Sequence, residues 1–444
     1  MPETMTPQAA GSVAYVLKAF PRSSELFILS EIYRVEQAGV PLRLFAIKPA
    51  EPADREPRHE VVDRIQAPCE FLRRSAGLSH SSLASWLWHR LPDFIPPLAR
   101  TLWGEPVGFC RALIAVLRQS WQTMARGGAG ESRVYAKEFL LAVDLADRLR
   151  RSPEVRHIHA HYAHAATTIA WLASIITGLP YSFTGHARDI YCEELNPAGL
   201  LALKLNAARF TVTCTEANRR HLLGLAPRAN VHRLYHGINA DFVSLLAVQA
   251  GREQTPARLK VLGVGRLVAK KGFDTLIHAI GILRDQGVDA ELVLAGGEGD
   301  AAPGLRTHIT RLGLEKHVQL PGVLSQPELY HHYKSATVFC LPCRVLDDGD
   351  RDGIPNVLVE AMAAGLPVVT TPVSGIPELV VDQETGLLVP PDDAAALANA
   401  LLQVHQSPAV ADRLSRAGQA AVQDGFDGDR LAGQLASLLT GAAA

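Results

Sequence analysis

Three groups of residues in this chain have the types and spacing for chemistry, and the first is a run of histidines. HIHAHYAH, from His157 to His164, holds four of the chain's 17 histidines in eight residues. His157, His159 and His161 alternate with apolar or small residues. On a strand they point to one side, and His161 and His164 would meet across a strand-to-helix turn. That arrangement suits zinc, and it equally suits histidines that line a polar cleft or bond to backbone. The second group is three glycine loops, GVGRL at Gly263–Leu267, AGGEG at Ala295–Gly299 and DGIPN at Asp352–Asn356. Each closes an apolar run, where glycine lets amides approach an anion. Arg266 and Lys271 flank the first loop and point to a diphosphate, although a solvated surface pair would look the same. The third group lies on one helix. Pro355 fits a first turn whose open N–H groups favour phosphate, and Glu360 follows among Ala361, Ala363, Ala364 and Gly365. A carboxylate there can accept two hydrogen bonds from a ribose diol, or simply complement the helix dipole.

Alternating strands and helices must position these residues. From Leu259 onward, short apolar runs such as LKVLGV, AELVLA, TVFCLP and PVVTTP alternate with amphipathic stretches. That order predicts parallel strands, right-handed crossovers and a doubly wound sheet with its crevice at the strands' carboxyl ends. The N-terminal half repeats the theme in SVAYVLKAFP, VPLRLFAIK, RHIHAHYA, LPYSFTGHA, RFTVTCT and NVHRLYHGI. At 444 residues, two domains are expected. They are residues 1–240, with a helical insertion over 72–135, and 259–425. The polar segment 241–258 links them, and a last helix, 426–444, packs back on the first domain.

Charge and cysteine usage narrow the partners. The formal net charge of −1 gives no global case for nucleic acid, and six scattered cysteines suit a reducing compartment. Cys340 and Cys343 form a single CxxC without the second pair that a zinc ribbon needs. No signal-like segment and no apolar stretch of about 18 residues is evident, so a cytoplasmic protein is expected. Residues 72–135 stand apart, with Trp86, Trp88, Trp103 and Trp121 among Arg73, Arg74, Arg90, Arg100, Arg111, Arg118 and Arg126. That mixture suits docking on the inner face of an anionic membrane through Trp86 and Trp88, or a helical insertion with core tryptophans and solvated arginines.

DGDRDGIPNVLVEAMAAGLPVV resembles the acid-x7-acid signature of retaining glycosyltransferase family 4, with Asp352 and Glu360 as the two acids. GRLVAKKGFDTLI resembles that family's donor-phosphate motif. SGIPELV, TGLLVPP, SFTGHARDIY and HGIN recur in the expected order, and PRSSELFILSEI resembles the opening of exopolysaccharide members of the colanic-acid kind. The match runs over nearly the whole chain and is more specific in the second half.

The resemblance implies a GT-B fold, with two Rossmann-like domains facing across a cleft. A nucleotide-diphosphate sugar would bind mainly on the second domain, and a saccharide or lipid-linked oligosaccharide acceptor on the first. Arg266 and Lys271 would neutralise the departing diphosphate, alongside Gly265, Gly297 and Glu298. Glu360 would hold the ribose. Asp352 and Gly353, with the backbone of the loop through Ile354, Pro355 and Asn356 as it enters its helix, would hold sugar hydroxyls, and His186 would reach the transferred sugar. Ser24, Glu25 and His161 would lie on the acceptor side. The first acid is commonly Glu in the family and is Asp here, one methylene shorter, at the position that would read the sugar. Two cations and a helix N-terminus would stabilise the leaving group, so neither metal nor cofactor is expected. Three alternatives stand beside this reading: a nucleotide-binding subunit without turnover, an epimerase on the same fold, and a metal-dependent hydrolase built on His157–His164.

Overall fold

Runs rich in Val, Leu and Ile that close on glycine or proline fold as buried strands, and the amphipathic stretches between them cover both sheet faces. The structure, a computed structural model, describes residues 11–22, 25–51, 60–73, 83–127, 129–238 and 258–443. Apart from Arg258, the expected linker 241–258 lies outside the described residues, as does Ser24. The chain divides into two units. One comprises Met1–Thr213, Arg219–Leu234 and Ala432–Ala444, and the other Cys214–Asn218 and Tyr235–Leu431.

The first part of the chain runs β1 (Ser12–Phe20), α1 (Leu26–Gln37), β2 (Leu42–Pro49), α2 (Val61–Arg64), β3 (Cys69–Phe71), α3 (Leu83–Gly104), α4 (Pro106–Ala125), α5 (Ala129–Arg150), β4 (Val155–His161), α6 (Ala165–Thr177), β5 (Tyr181–Gly185), α7 (Arg188–Tyr191), α8 (Leu200–Ala207), β6 (Phe210–Thr213), α9 (Glu216–Leu225) and β7 (Val231–Arg233). Its strands form one parallel sheet in the order β3-β2-β1-β4-β5-β6-β7. The order reverses between β1 and β4, with Tyr15 opposite His159.

The second part runs β8 (Leu259–Val264), α10 (Phe273–Asp285), β9 (Ala290–Ala295), α11 (Ala302–Arg311), β10 (Val318–Gly322), α12 (Gln326–Ser335), β11 (Val338–Leu341), α13 (Asn356–Ala363), β12 (Val368–Thr370), β13 (Leu387–Leu388), α14 (Ala394–Gln406), α15 (Pro408–Gly425) and α16 (Gly428–Ala443). Its sheet, also parallel, is ordered β10-β9-β8-β11-β12-β13 and reverses between β8 and β11. Two sheets of this kind give the GT-B class of fold, and each places its ligand crevice at the carboxyl ends of the strands flanking the reversal.

The first sheet is covered on both faces. Ala14, Val16, Ile158, Ala160 and Phe183 join the core that includes α5 and α6. On the opposite face, Tyr15, Leu17, Phe210 and Val212 share a core with Ile28 and Ile32 of α1 and with Leu435 and Leu439 of α16. Docking through Trp86 is not supported: Trp86 is 3% exposed and belongs to the core with Phe94, whereas Trp88 is 82% exposed. Among the described residues, no helix is long and apolar enough to cross a membrane.

Candidate active site at the ends of the central strands

In the second unit, strands β8 and β9 end in loops locked backbone to backbone. Gly265 donates to the Ala295 carbonyl at 2.9 Å, and the Leu267 amide to the Gly297 carbonyl at 3.0 Å. Glycine is required here. Gly296 has φ +151, and a Cβ on it would sit 2.0 Å from the Gly265 carbonyl oxygen. The chain then turns through Ala269–Lys271 and enters α10 at Gly272, which delivers Lys271 beneath the loop.

Lys271 meets the acid that follows β11. Its Nζ lies 2.8 Å from Asp352 Oδ2, and Lys270 Nζ lies 3.3 Å from Oδ1 and 3.0 Å from Asp350. The Cys343 thiol donates to Asp352 at 3.7 Å. Burial opposes ionisation of Asp352, yet the two ammonium groups outweigh it and hold the carboxyl near 2. Burial likewise disfavours charge on Lys271, and Asp352 reverses that, raising its pKa above the ordinary 10.5. Burial pushes the Cys343 thiol up to about 12, with Asp352 adding to the effect, so this cysteine stays protonated. Sequence reading singled out Lys271 and Asp352 separately and missed Lys270 and Asp350.

Helix α13 starts just after the loop. Pro355, with φ −61 and ψ 126, stands at its N-cap, so Asn356 and not Pro355 opens the first turn. Its first amides face the same end of the sheet, with Ile354 buried beside them. One turn further on, the half-buried Glu360 accepts a hydrogen bond from the Tyr333 hydroxyl of α12 at 2.9 Å. Burial raises the Glu360 pKa and the Tyr333 bond partly offsets it. Arg266 is exposed and makes no ion pair among the described residues. Glu298 instead forms a surface pair with Arg306, whose Nη1 lies 3.1 Å from Oε2.

The SGIPELV motif turns out to be a clamp. Glu378 accepts from the amides of Glu216 at 2.7 Å and Ala217 at 2.9 Å, capping α9, and from the Tyr235 hydroxyl at 3.0 Å. Gly375 packs so closely that a Cβ would lie 2.3 Å from Thr215 Cγ2. Beside this clamp, Cys214, Tyr235, His236, Ile354, Asn356 and Phe426 line a shallow depression. No pattern local to Glu378 announces this role, because its partners come from a distant turn.

In the first unit, His157, His159 and His161 do share one face of β4, and all three are fully buried. His157 Nε2 and His159 Nδ1 both lie 2.7 Å from Ser182 Oγ, and His159 Nε2 lies 3.1 Å from Thr184 Oγ1. Burial lowers the pKa of His157 to about 3, and neighbouring Arg209 adds to that. His159 is also driven low by burial. These are neutral core histidines bonded to hydroxyls of β5. His161 pairs with Glu31 of α1 at 3.0 Å, not with His164, which stands at the N-cap of α6. Glu31, His159 and His161 are close enough to share an ion, but both ring nitrogens of His159 already have hydroxyl partners.

His186 and the acceptor-side residues come together at the carboxyl end of this sheet. The His186 ring stacks on His161 at 5.8 Å and lies 4.7 Å from the Tyr162 ring. Tyr162 donates to Glu25 at 2.9 Å, and Glu25 also pairs with Arg22. Buried Asp189 holds the turn beneath, accepting from the amides of Ala163 at 2.6 Å, His186 at 3.1 Å and Ala187 at 3.1 Å.

A cation pair, a paired acid and a helix N-terminus at a strand-order reversal have the charge and geometry to receive an anionic group. Residues 251–421 match the family described as glycosyl transferases group 1. It is 29% identical over 428 residues to the amylovoran biosynthesis glycosyltransferase AmsK of Erwinia amylovora, covering 95% of this chain and 97% of that one. To the putative colanic acid biosynthesis glycosyltransferase WcaL of Escherichia coli K12 it is 29% identical over 442 residues, covering 96% and 99%. Among solved structures, Anabaena HepE in complex with UDP and glucose shares the fold. The TM-score is 0.65 at 19% identity, covering 97% of this chain and 100% of that one.

Proposed function

We propose that this protein is a retaining, metal-independent hexosyltransferase. It moves a sugar from a nucleotide-diphosphate donor to a lipid-linked saccharide during exopolysaccharide assembly, at the cytoplasmic face of the membrane. The observation that carries the reading is the Lys271–Asp352 pair at the reversal of the second sheet, beside the N-terminus of α13. Lys271 is held cationic in a partly buried site, where a diphosphate gains far more from it than in water. The exposed Arg266 adds a second, mobile cation. The family resemblance and the full-length similarity to AmsK and WcaL support the polysaccharide context.

In this mechanism the transition state parts an oxocarbenium-like sugar from the diphosphate. Lys271, Arg266 and the α13 amides take up the developing charge, and Glu360 orients the ribose. Asp352, released from Lys271 as the diphosphate enters, accepts sugar hydroxyls. The departing phosphate oxygen receives the acceptor's proton on the same face, so no separate base is needed. His186 takes its role towards the sugar from the FTGHARDIY motif. The test is nucleotide release from UDP-, GDP- and ADP-sugars in EDTA, with and without bacterial lipid extract. Release from one donor class, raised by lipid and indifferent to EDTA, is expected. A chelator-sensitive activity, or donor binding without release under any condition, would overturn the reading.

A further inference from the structure

The inserted helices α3 and α4 carry an apolar surface that no other described residue of the first unit covers. Each buries one face, with Trp86, Phe94 and Thr101 on α3 and Ala112, Val116 and Thr123 on α4. Both pack on α5, and α4 packs also on α6. The opposite faces point outward and are also apolar. On α3, Trp88, Ile95 and Trp103 are 82%, 57% and 91% exposed. On α4, Val107, Ile114 and Trp121 recur every seven residues at 63%, 63% and 69% exposure. Residues at that spacing share one side of a helix, so the strip runs most of the length of two helices, about 30 Å each. Contiguous apolar surface of this extent is rarely left to water.

The charges around the strip select its partner. Residues 83–126 contain five arginines (Arg90, Arg100, Arg111, Arg118 and Arg126) against two acids, Asp93 and Glu105. Glu105 is already held by Arg150 at 3.6 Å, and Arg100 by Asp147 at 2.7 Å. Arg111 and Arg118 are exposed on α4 and make no ion pair among the described residues. A two-fold contact with a second copy would set these arginines near their own counterparts, which like-charge repulsion disfavours. An anionic bilayer accepts both features at once. Tryptophan settles at headgroup depth and arginine reaches the phosphates from the same face.

We propose that the outward face of α3 and α4 lies in the interfacial layer of an anionic membrane, with Trp88, Trp103 and Trp121 as anchors and Arg111 and Arg118 on lipid phosphates. This deepens the proposed role at a membrane and rests on it, but the docking requires neither donor nor acceptor. The test is co-sedimentation of the full chain with phosphatidylcholine vesicles, with and without phosphatidylglycerol. Wild type is expected to pellet with the anionic vesicles. Combining Trp88→Ser, Trp103→Ser and Trp121→Ser should lower partitioning about tenfold or more without moving the melting temperature. Combining Arg111→Glu and Arg118→Glu should abolish the preference for the anionic lipid. Three results would overturn the proposal: wild type left in the supernatant, a triple variant that pellets as wild type does, or a wild-type dimer that the triple variant makes monomeric. Nucleotide release from donor sugar, measured on the same samples, reports separately on the transferase reading.

Discussion

Asp352→Asn separates the role that the structure gives Asp352, partner to lysine, from the one proposed for it, ligand to sugar. In the ligand-free protein this carboxyl is held near 2 instead of 3.8 by Lys271 and Lys270, and its side chain is only 17% exposed. A depression of almost two units corresponds to ~2.5 kcal/mol of native-state stability. The sign is that of a depressed carboxylate. The contribution is complete above about pH 4 and disappears as the pH falls through the folded-state value near 2. Denaturant unfolding should therefore show the Asn variant less stable than wild type by ~2.5 kcal/mol at pH 7, with the gap closing towards pH 2. Ligand binding should move the other way. A nucleoside diphosphate without sugar competes with Asp352 for Lys271, so titration calorimetry should find it bound up to ~10-fold more tightly by the variant. Sugar transfer, for which the proposed function sets the carboxylate on the hydroxyls, should fall about 100-fold. Weaker diphosphate binding by the variant, together with unchanged stability at pH 7, would refute the competition.

Three other substitutions probe separate features. Lys271→Ala should lower kcat about 100-fold in a steady-state transfer assay, since it removes the partly buried charge proposed to stabilise the leaving group. Tyr333→Phe deletes the hydroxyl that donates to Glu360; it should cost ~1 kcal/mol in thermal unfolding, push the Glu360 pKa higher still and raise the donor KM. His157 is neutral in the fold, with its pKa lowered from 6.5 to about 3, so its contribution is full above pH 6.5 and shrinks as the pH drops. Wild type should lose ~2 kcal/mol from this residue between pH 6.5 and 5, and His157→Gln should flatten that part of the stability profile.

The second sheet is easily legible in the sequence because each central strand is a compact apolar run closed by glycine or proline. β3 and β13 are not: at three and two residues they are too short to show a period. Individual site residues stand out by motif, but their relations do not. Tyr333 and Glu360 lie 27 positions apart on different helices, and only the packing of α12 beside α13 joins them. The histidine alternation correctly gives a strand with one polar face. Its meaning depends on Ser182 and Thr184, which arrive on a neighbouring strand and hydrogen-bond the His157 and His159 rings. The tryptophans of α3 illustrate a limit of pattern reading. Trp86 and Trp88 are two residues apart and look alike in sequence, yet the helix turns one inward and the other out.

The last helix has a consequence for how the protein is made. Ala432, Leu435, Ala436 and Leu439 complete the core under β1 and β6, so the first unit draws part of its interior from the far end of the chain. A ribosome delivers that segment only after nearly all of the second unit has emerged. Until then that face of β1 and β6 is covered only in part, by α1, and a fragment ending before the second unit inherits the same gap permanently. Supplying residues 428–443 as a separate peptide should let such a fragment complete its core, in the manner of a split protein reassembling.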